Sequence, residues 1–141
     1  SACLVGSEMC IRDSTYYVFK MYVPHQDAKL IPLSVNTPYR MVRDNRLVPT
    51  ISATASQKDG KVTISLTNVD LTNPCDVEIP LGDIKATKVS AEILNSADIH
   101  DYNDFGHAEK VTLKPFDKAK IQKGTLRLTL PAMSIVTLSL N

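Results

Sequence analysis

The sequence predicts an all-β protein, a jelly-roll-like antiparallel β-sandwich of two sheets preceded by one short helix. Three observations predict it. Short runs alternate apolar and polar residues with a period of two, as in Thr125–Leu130 (TLRLTL) and Ser134–Leu140 (SIVTLSL). That period turns one face of a strand to a core and the other to water. Turn-forming residues separate the runs at the spacing of a sandwich. Only residues 15–23 (TYYVFKMYV) have helical character, and Tyr16, Tyr17, Val18, Phe19, Met21, Tyr22 and Val23 point in every direction around Lys20, the one charge. A surface helix carries one apolar stripe and one polar face. A helix apolar all round is expected to lie inside something larger, as the last element of a domain that precedes the strands.

The elements follow in order. Pro24 ends or kinks the helix, and His25, Gln26 and Asp27 make the connection. Residues 29–35 are the first strand, interrupted by Pro32 as at an edge or a bulge. Residues 36–47 are polar, carry Pro38, Arg40, Arg43 and Arg46, and read as a long loop. Residues 50–56 turn Ile51, Ala53 and Ala55 to one side. Lys58-Asp59-Gly60-Lys61 is a tight hairpin, because Asp-Gly supplies the positive φ such turns require. Val62, Ile64 and Leu66 form the inward face of the return strand. Val77, Ile79 and Leu81 alternate before a turn at Gly82-Asp83. Val89, Ala91 and Ile93 mark the next strand, and residues 95–109 are a polar insertion. Residues 111–113 and a short piece near Ile121 precede a turn at Lys123-Gly124. Leu126, Leu128 and Leu130 then face inward, Pro131 stops the strand, and Val136, Leu138 and Leu140 line the last one. About eight or nine strands result, enough for two packed sheets.

Composition narrows the function. The 141 residues are 43% hydrophobic and 22% charged, as expected of one globular domain with a real core. Sixteen basic and fifteen acidic residues leave a formal charge of +1, so neither nucleic acid nor an anionic membrane surface is an expected partner. No apolar stretch approaches the ~20 residues that span a bilayer. Trp is absent and aromatic residues are 6%, which does not suit an aromatic sugar-binding platform.

Residues 1–14 (SACLVGSEMCIRDS) have neither strand nor helix period, and they lack the basic start and apolar core of a signal peptide. The stretch LVGSEMCIRDS, from Leu4 to Ser14, resembles a translated transposase-type sequencing adapter, so these residues are expected to be foreign to the domain and unstructured. Two of the three cysteines, Cys3 and Cys10, fall within them. Cys75 alone remains, which allows no internal disulfide and leaves compartment and targeting unread. It follows Pro74 at the start of a strand and reads as a half-buried thiol with no histidine nearby in sequence.

The densest polar cluster is residues 98–107 (DIHDYNDFGH), with three carboxylates and two histidines. Counted from Asp101, a calcium loop would find Asn103 third and Gly106 sixth, but Phe105 and Thr112 stand where ligands belong. His100 and His107 match no standard zinc spacing. The cluster therefore reads as a loop whose Asp and Asn side chains cap turns, with Phe105 under it. Glycosidase chemistry needs two carboxyl groups across a sugar, about 5 Å apart in retaining enzymes. Glu78 and Glu92 instead lie on outward strand faces. No phosphate loop and no Ser-His-Asp set appears, and His25 at the helix exit reads as a cap or a domain contact. No catalytic, cofactor-binding or metal residue is assigned, and no cofactor is expected.

The segments TYYVFKMYVPHQDAKLIPL, LVPTISATASQKDGKVTISLTNVD, VSAEILNSADIHDYNDF, VTLKPF and LTLPAMSIVTLSL occur in that order. Together they resemble the barrel-to-C-terminal-domain junction and the C-terminal domain of α-L-arabinofuranosidases of glycoside hydrolase family 51. The resemblance runs from Thr15 to the C-terminus. Pro24 departs from it where a helix-continuing residue is expected, and Gly106-His107 replaces a more usual turn. The resemblance implies a (β/α)8 barrel before a C-terminal sandwich. It also implies removal of terminal non-reducing α-L-arabinofuranosyl residues, with retention, by two barrel glutamates that lie upstream. It divides the chain into residues 1–14, adapter-derived; 15–27, the last barrel helix and its connection; and 28–141, the accessory sandwich. The implied partners are the protein's own barrel, arabinan or arabinoxylan-type glycans reached through the parent enzyme, and, for a homo-oligomeric parent, further copies. Strands contributed from before the barrel would leave part of this sheet unpaired. The rival expectation is an autonomous carbohydrate-binding module.

Overall fold

The computed structural model describes residues 14–104 and 108–141. The adapter reading of residues 1–14 therefore falls outside the described residues except at Ser14, as do Phe105 and the turn at Gly106-His107.

The fold is the expected sandwich. Its helix, α1 (Ser14–Tyr22), continues through a 3-10 turn (Val23–His25). Pro24 sits in the first turn of that short helix, where its missing N–H costs no hydrogen bond. The strands are β1 (Lys29–Ile31), β2 (Tyr39–Val42), β3 (Arg46–Pro49), β4 (Ile51–Lys58), β5 (Lys61–Asn68), β6 (Cys75–Pro80), β7 (Val89–Asn95), β8 (Leu113–Pro115), β9 (Lys120–Gln122), β10 (Thr125–Leu130) and β11 (Ser134–Leu140). One sheet has the order β1-β4-β5-β11-β7-β8, the other β6-β10-β9, and every pairing is antiparallel. Asp59 (φ +51°) and Gly60 (φ +78°) turn β4 into β5 with Lys58 opposite Lys61. Lys123 (φ +49°) and Gly124 (φ +74°) turn β9 into β10 in the same way. Two consecutive positive φ values match the right-handed twist of the flanking strands.

Alternation sets which face is buried. Leu126, Leu130, Val136 and Leu138 are 0% exposed, and with Val62, Ile64, Leu66, Leu128 and Leu140 they fill the space between the sheets. Val77, Ile79 and Ile121 pack against this cluster from the smaller sheet, and Val89 and Ala91 from the larger.

Two expectations need correction. Residues 36–47 are not a plain loop: β2 and β3 pair as a separate two-stranded ribbon turned by Asp44 (φ +68°) and Asn45 (φ +56°). Asp and Asn tolerate that region better than most residues. The ribbon is exposed along its whole length, so no buried face gave it an alternating signature. The second correction concerns the outer face of the larger sheet, which was expected to meet water. At β5 both faces are buried, with Thr63 and Ser65 covered as fully as Val62 and Ile64. The cover is the N-terminal segment, with α1 and the 3-10 turn folded back onto the sheet. Met21 is 2% exposed and packs with Leu94 and Val111, flanked by Tyr17, Val18, Tyr22, Leu113 and Ile135. Phe19, 72% exposed, points away.

Of the four passages between the sheets, two lie at the same corner, at residues 69–74 from larger to smaller and at 131–133 from smaller to larger. One side chain closes both passages. Asn68, 2% exposed at the end of β5, accepts the N–H of Asp70 on Oδ1 (3.0 Å). Its Nδ2 donates to the carbonyls of Asn73 and Pro131, each at 3.0 Å, and lies 3.4 Å from that of Leu130. Beside it, the Asp70 carboxylate accepts the backbone N–H groups of Thr72 (2.9 Å) and Asn73 (3.0 Å) and faces Arg40 at 3.3 Å. Those bonds hold the Asp70 carboxyl well below the usual carboxylate range, the Thr72 N–H contributing most. The Asp70 carbonyl in turn accepts the N–H of Met133 (2.9 Å).

Two substitutions test this account. Leu138→Ala should lower unfolding stability by about 2–5 kcal/mol, the range for a cavity left in a packed core, as measured by urea denaturation. Asn68→Ala takes the donor from the Asn73 and Pro131 carbonyls and the acceptor from the Asp70 N–H, and at about 1–3 kcal/mol for each buried group left unsatisfied it should destabilise the chain measurably despite removing little apolar surface.

Candidate functional site

The polar loop after β7 closes on itself. Asp98 Oδ1 accepts the backbone N–H of His100 (2.9 Å) and lies 3.0 Å from His100 Nδ1. The Ser96 hydroxyl donates to Asp101, and Lys110 Nζ sits 3.3 Å from the other Asp101 oxygen. These two partners, Ser96 first, hold the Asp101 carboxyl below its ordinary value. Asn103 Oδ1 accepts the N–H groups of Lys110 (3.0 Å) and Val111 (2.8 Å), and its Nδ2 donates to the Val111 carbonyl (2.7 Å). Asp98 and Asn103 act as turn closures aimed at nearby backbone, while Asp101 bonds side chains of the same loop. Among the described residues, no three His, Cys, Asp or Glu side chains converge as metal ligands would. His107 lies outside those residues.

The outer face of the smaller sheet carries an open cleft of about 610 Å³ lined by Asp76, Glu78, Asp117, Lys120, Arg127 and Thr129, among others, with no aromatic side chain. Its strand carboxylates are engaged. Thr129 Oγ1 donates to Asp76 Oδ1 (2.6 Å), and Arg127 Nη1 lies 3.2 Å from Glu78 Oε1. Glu92 is exposed on β7. Cys75 is a half-buried free thiol whose Sγ lies 3.7 Å from the Asp76 carbonyl.

His25 marks the seam between the N-terminal segment and the sheet. Its Nδ1 lies 2.7 Å from Ser56 Oγ on β4, and its Nε2 lies 2.8 Å from Ser65 Oγ on β5. Ser65 Oγ continues to Thr137 Oγ1 on β11 at 3.2 Å. The Tyr22 ring lies 5.5 Å from the imidazole, centroid to centroid. A neutral imidazole donates through one nitrogen and accepts through the other, and serine hydroxyls complement either role. The arrangement is a polar clasp across three strands. Of the two roles expected of His25, a cap or a domain contact, neither named this one: it joins the N-terminal segment to the sheet of the same chain.

Residues 3–134 match the family described as the α-L-arabinofuranosidase C-terminal domain. The chain belongs to that family. A curated relative, the intracellular exo-α-L-arabinofuranosidase of Bacteroides ovatus, is 48% identical over 141 residues, covering 99% of this chain and 27% of that protein. The crystal structure of the GH51 arabinofuranosidase from Xanthomonas axonopodis pv. citri superposes with a TM-score of 0.86 at 35% identity, covering 92% of this chain and 26% of the other. The GH51 α-L-arabinofuranosidase from Thermotoga petrophila has the same fold at 15% identity, with a TM-score of 0.73 over 92% of this chain and 29% of its own. The chain thus spans about a quarter of the length of these relatives.

Within this arabinofuranosidase C-terminal domain, the feature that sequence reading missed is the clasp, and it left a signal. The outward residues of β4 and β5 are Ser52, Thr54, Ser56, Thr63, Ser65 and Thr67, small hydroxyls, with Lys58 and Lys61 only at the hairpin end. The outward residues of β6 and β10 include Asp76, Glu78 and Arg127. Charged outer faces are solvated, whereas a run of small hydroxyls accommodates a covering segment.

Burial holds the His25 pKa below its ordinary value of 6.5. The unfolded chain therefore takes up this proton first as the pH falls. The stability contributed by neutral His25 is complete above 6.5 and is lost as the pH drops from there through the folded-state value. Melting temperature should consequently fall more for the native chain than for His25→Gln between about pH 7 and pH 5, the range in which an imidazole titrates.

Proposed function

We propose that this chain is the non-catalytic C-terminal accessory domain of an α-L-arabinofuranosidase. The parent enzyme hydrolyses terminal non-reducing α-L-arabinofuranosyl residues of arabinose-containing polysaccharides with retention, by two glutamates carried on a (β/α)8 barrel outside this chain. The observation that carries the reading is length against likeness: at 48% identity the chain is matched almost throughout, yet accounts for only 27% of an exo-α-L-arabinofuranosidase. Asp76 and Glu78, the strand carboxylates of the open cleft, are each held by a neighbouring side chain, and the loop acids Asp98 and Asp101 bond within their own loop. A retaining mechanism needs one carboxylate free to attack and one poised to donate a proton.

The role that remains is structural. The sandwich receives the chain through α1 and supports the barrel, and arabinan or arabinoxylan-type glycans are reached through the barrel. An autonomous sugar-binding module gains nothing from the geometry, since the open cleft has no aromatic face on which a sugar could stack.

The chain alone should give no turnover of an aryl α-L-arabinofuranoside, whereas the full-length polypeptide should release the aglycone steadily. Hydrolysis by the chain at a rate approaching that of the full-length protein would place catalytic groups within the sandwich and end this reading.

A further inference from the structure

The segments that leave one end of the larger sheet expose apolar side chains. Ile51, Asn68, Ser134 and Asn95 form a single row across β4, β5, β11 and β7. The β2–β3 ribbon, residues 69–74 and the loop after β7 all leave from that row. In the ribbon, Tyr39 pairs with Pro49 and Met41 with Leu47, so these four residues share one face. All four are exposed, Tyr39, Met41 and Leu47 each by more than 60%. The opposite face carries Val42 and Val48, 42% and 36% exposed, beside Arg40, which ties the ribbon to Asp70 at 3.3 Å. Of the ribbon's large apolar residues, those on the Tyr39 face are thus the more exposed. Ile99 and Tyr102, on the loop leaving the same row, are 62% and 64% exposed. The turns at the other end of the sheet carry Lys58, Lys61, Lys85 and Lys88 instead. Exposed apolar side chains gathered at one end of a sheet mark an interaction site.

We infer that the ribbon face of Tyr39, Met41, Leu47 and Pro49 docks on the catalytic domain of the same polypeptide. The inference rests on the proposed function and adds the surface by which the two domains join. Two observations select this occupant over a second copy. The relatives are nearly four times the length of this chain, and the family is a C-terminal domain, so the remaining polypeptide precedes α1. The first turns of α1 lie at the same end of the sheet, where Tyr17 Oη donates to Glu109 (2.7 Å) and Val18 packs beside Leu94 and Val111. A domain tethered there meets the ribbon at an effective concentration of about millimolar, which a free second copy does not reach.

The test uses the full-length polypeptide with p-benzoylphenylalanine in place of Tyr39 or Leu47, and in place of Lys61 as a control at the lysine-bearing end. Isotopically labelled and unlabelled protein are mixed before irradiation, and cross-linked peptides are read by mass spectrometry. Cross-links from positions 39 and 47 to catalytic-domain peptides of the same isotope, with none from position 61, are the expected result. Mixed-isotope cross-links would assign the face to a second copy, and no cross-link from either position would leave it in water; both overturn the inference. Hydrolysis of an aryl α-L-arabinofuranoside by the same preparation separates the two readings: an active enzyme without these cross-links loses only the docking surface, and an inactive one loses the proposed function.

Discussion

The buried amide of Asn68 is the point on which the rest of the sandwich depends. Two sheets that face each other across a leucine core have no hydrogen bonds between them, so apolar contact fixes their separation but not their relative position. The covalent crossings must supply that, and two of the four, from β5 to β6 and from β10 to β11, meet at Asn68. Its oxygen starts the passage to β6 and its nitrogen closes the passage from β10 to β11. Carbonyls inside a water-excluded corner need donors, and one primary amide serves three of them. Asp70 extends the same corner outward, binding the next turn and receiving Arg40 from the ribbon. Thr50 adds a further tie, donating its N–H to Pro38 and accepting that of Val69. The ribbon is therefore fastened to the corner although it shares no sheet with it.

What could be read in the sequence follows from how local each cause is. Period-two burial is local, and the inward faces of β5, β10 and β11 were legible residue by residue. The turns at Asp59-Gly60 and Lys123-Gly124 were legible because two adjacent residues carry the whole conformational requirement. The ribbon was not legible, since its strands bury neither face and its pairing is sustained by backbone bonds and a distant aspartate. Asn68 was equally silent. An asparagine at the end of a strand is ordinary in sequence, and its importance arises only when residues 73 and 131 arrive beside it. In the polar cluster of residues 98–107 the residue types misleadingly suggest ligands, but Asp98 and Asn103 serve as turn closures, a use that their short side chains permit wherever a loop doubles back.

The all-round apolar helix posed a packing problem that the structure answers only on one side. Met21 is buried against Leu94 and Val111, which gives α1 a seat on the sheet. Phe19 and Tyr16 face outward, at 72% and 38% exposure. A helix with a purely amphipathic pattern would need one partner surface; one whose apolar residues surround its axis has capacity for two. The sheet supplies the first, and the hydroxyl-lined face of β4 and β5 shows that it is shaped for the purpose. His25 then joins hydroxyls from two strands in an orientation that a loosely draped segment would not keep, because two ring nitrogens 2.7 Å and 2.8 Å from their partners fix the imidazole plane as well as its position.

The distribution of outward residue types divides the molecule into a side that meets water and a side that meets protein. On the smaller sheet, Asp76 with Thr129 and Glu78 with Arg127 are exposed pairs that contribute little to stability but keep that face soluble and closed to further strand pairing. On β4 and β5 of the larger sheet, small hydroxyls meet the 3-10 turn through His25, and Lys58, at the hairpin end of the same face, donates to the Gln26 carbonyl of the covering segment. A free-standing sugar-binding domain would place aromatic rings where this chain places Asp76, Glu78 and Arg127. The asymmetry between the two outer faces follows from the cover that the N-terminal segment gives to one of them.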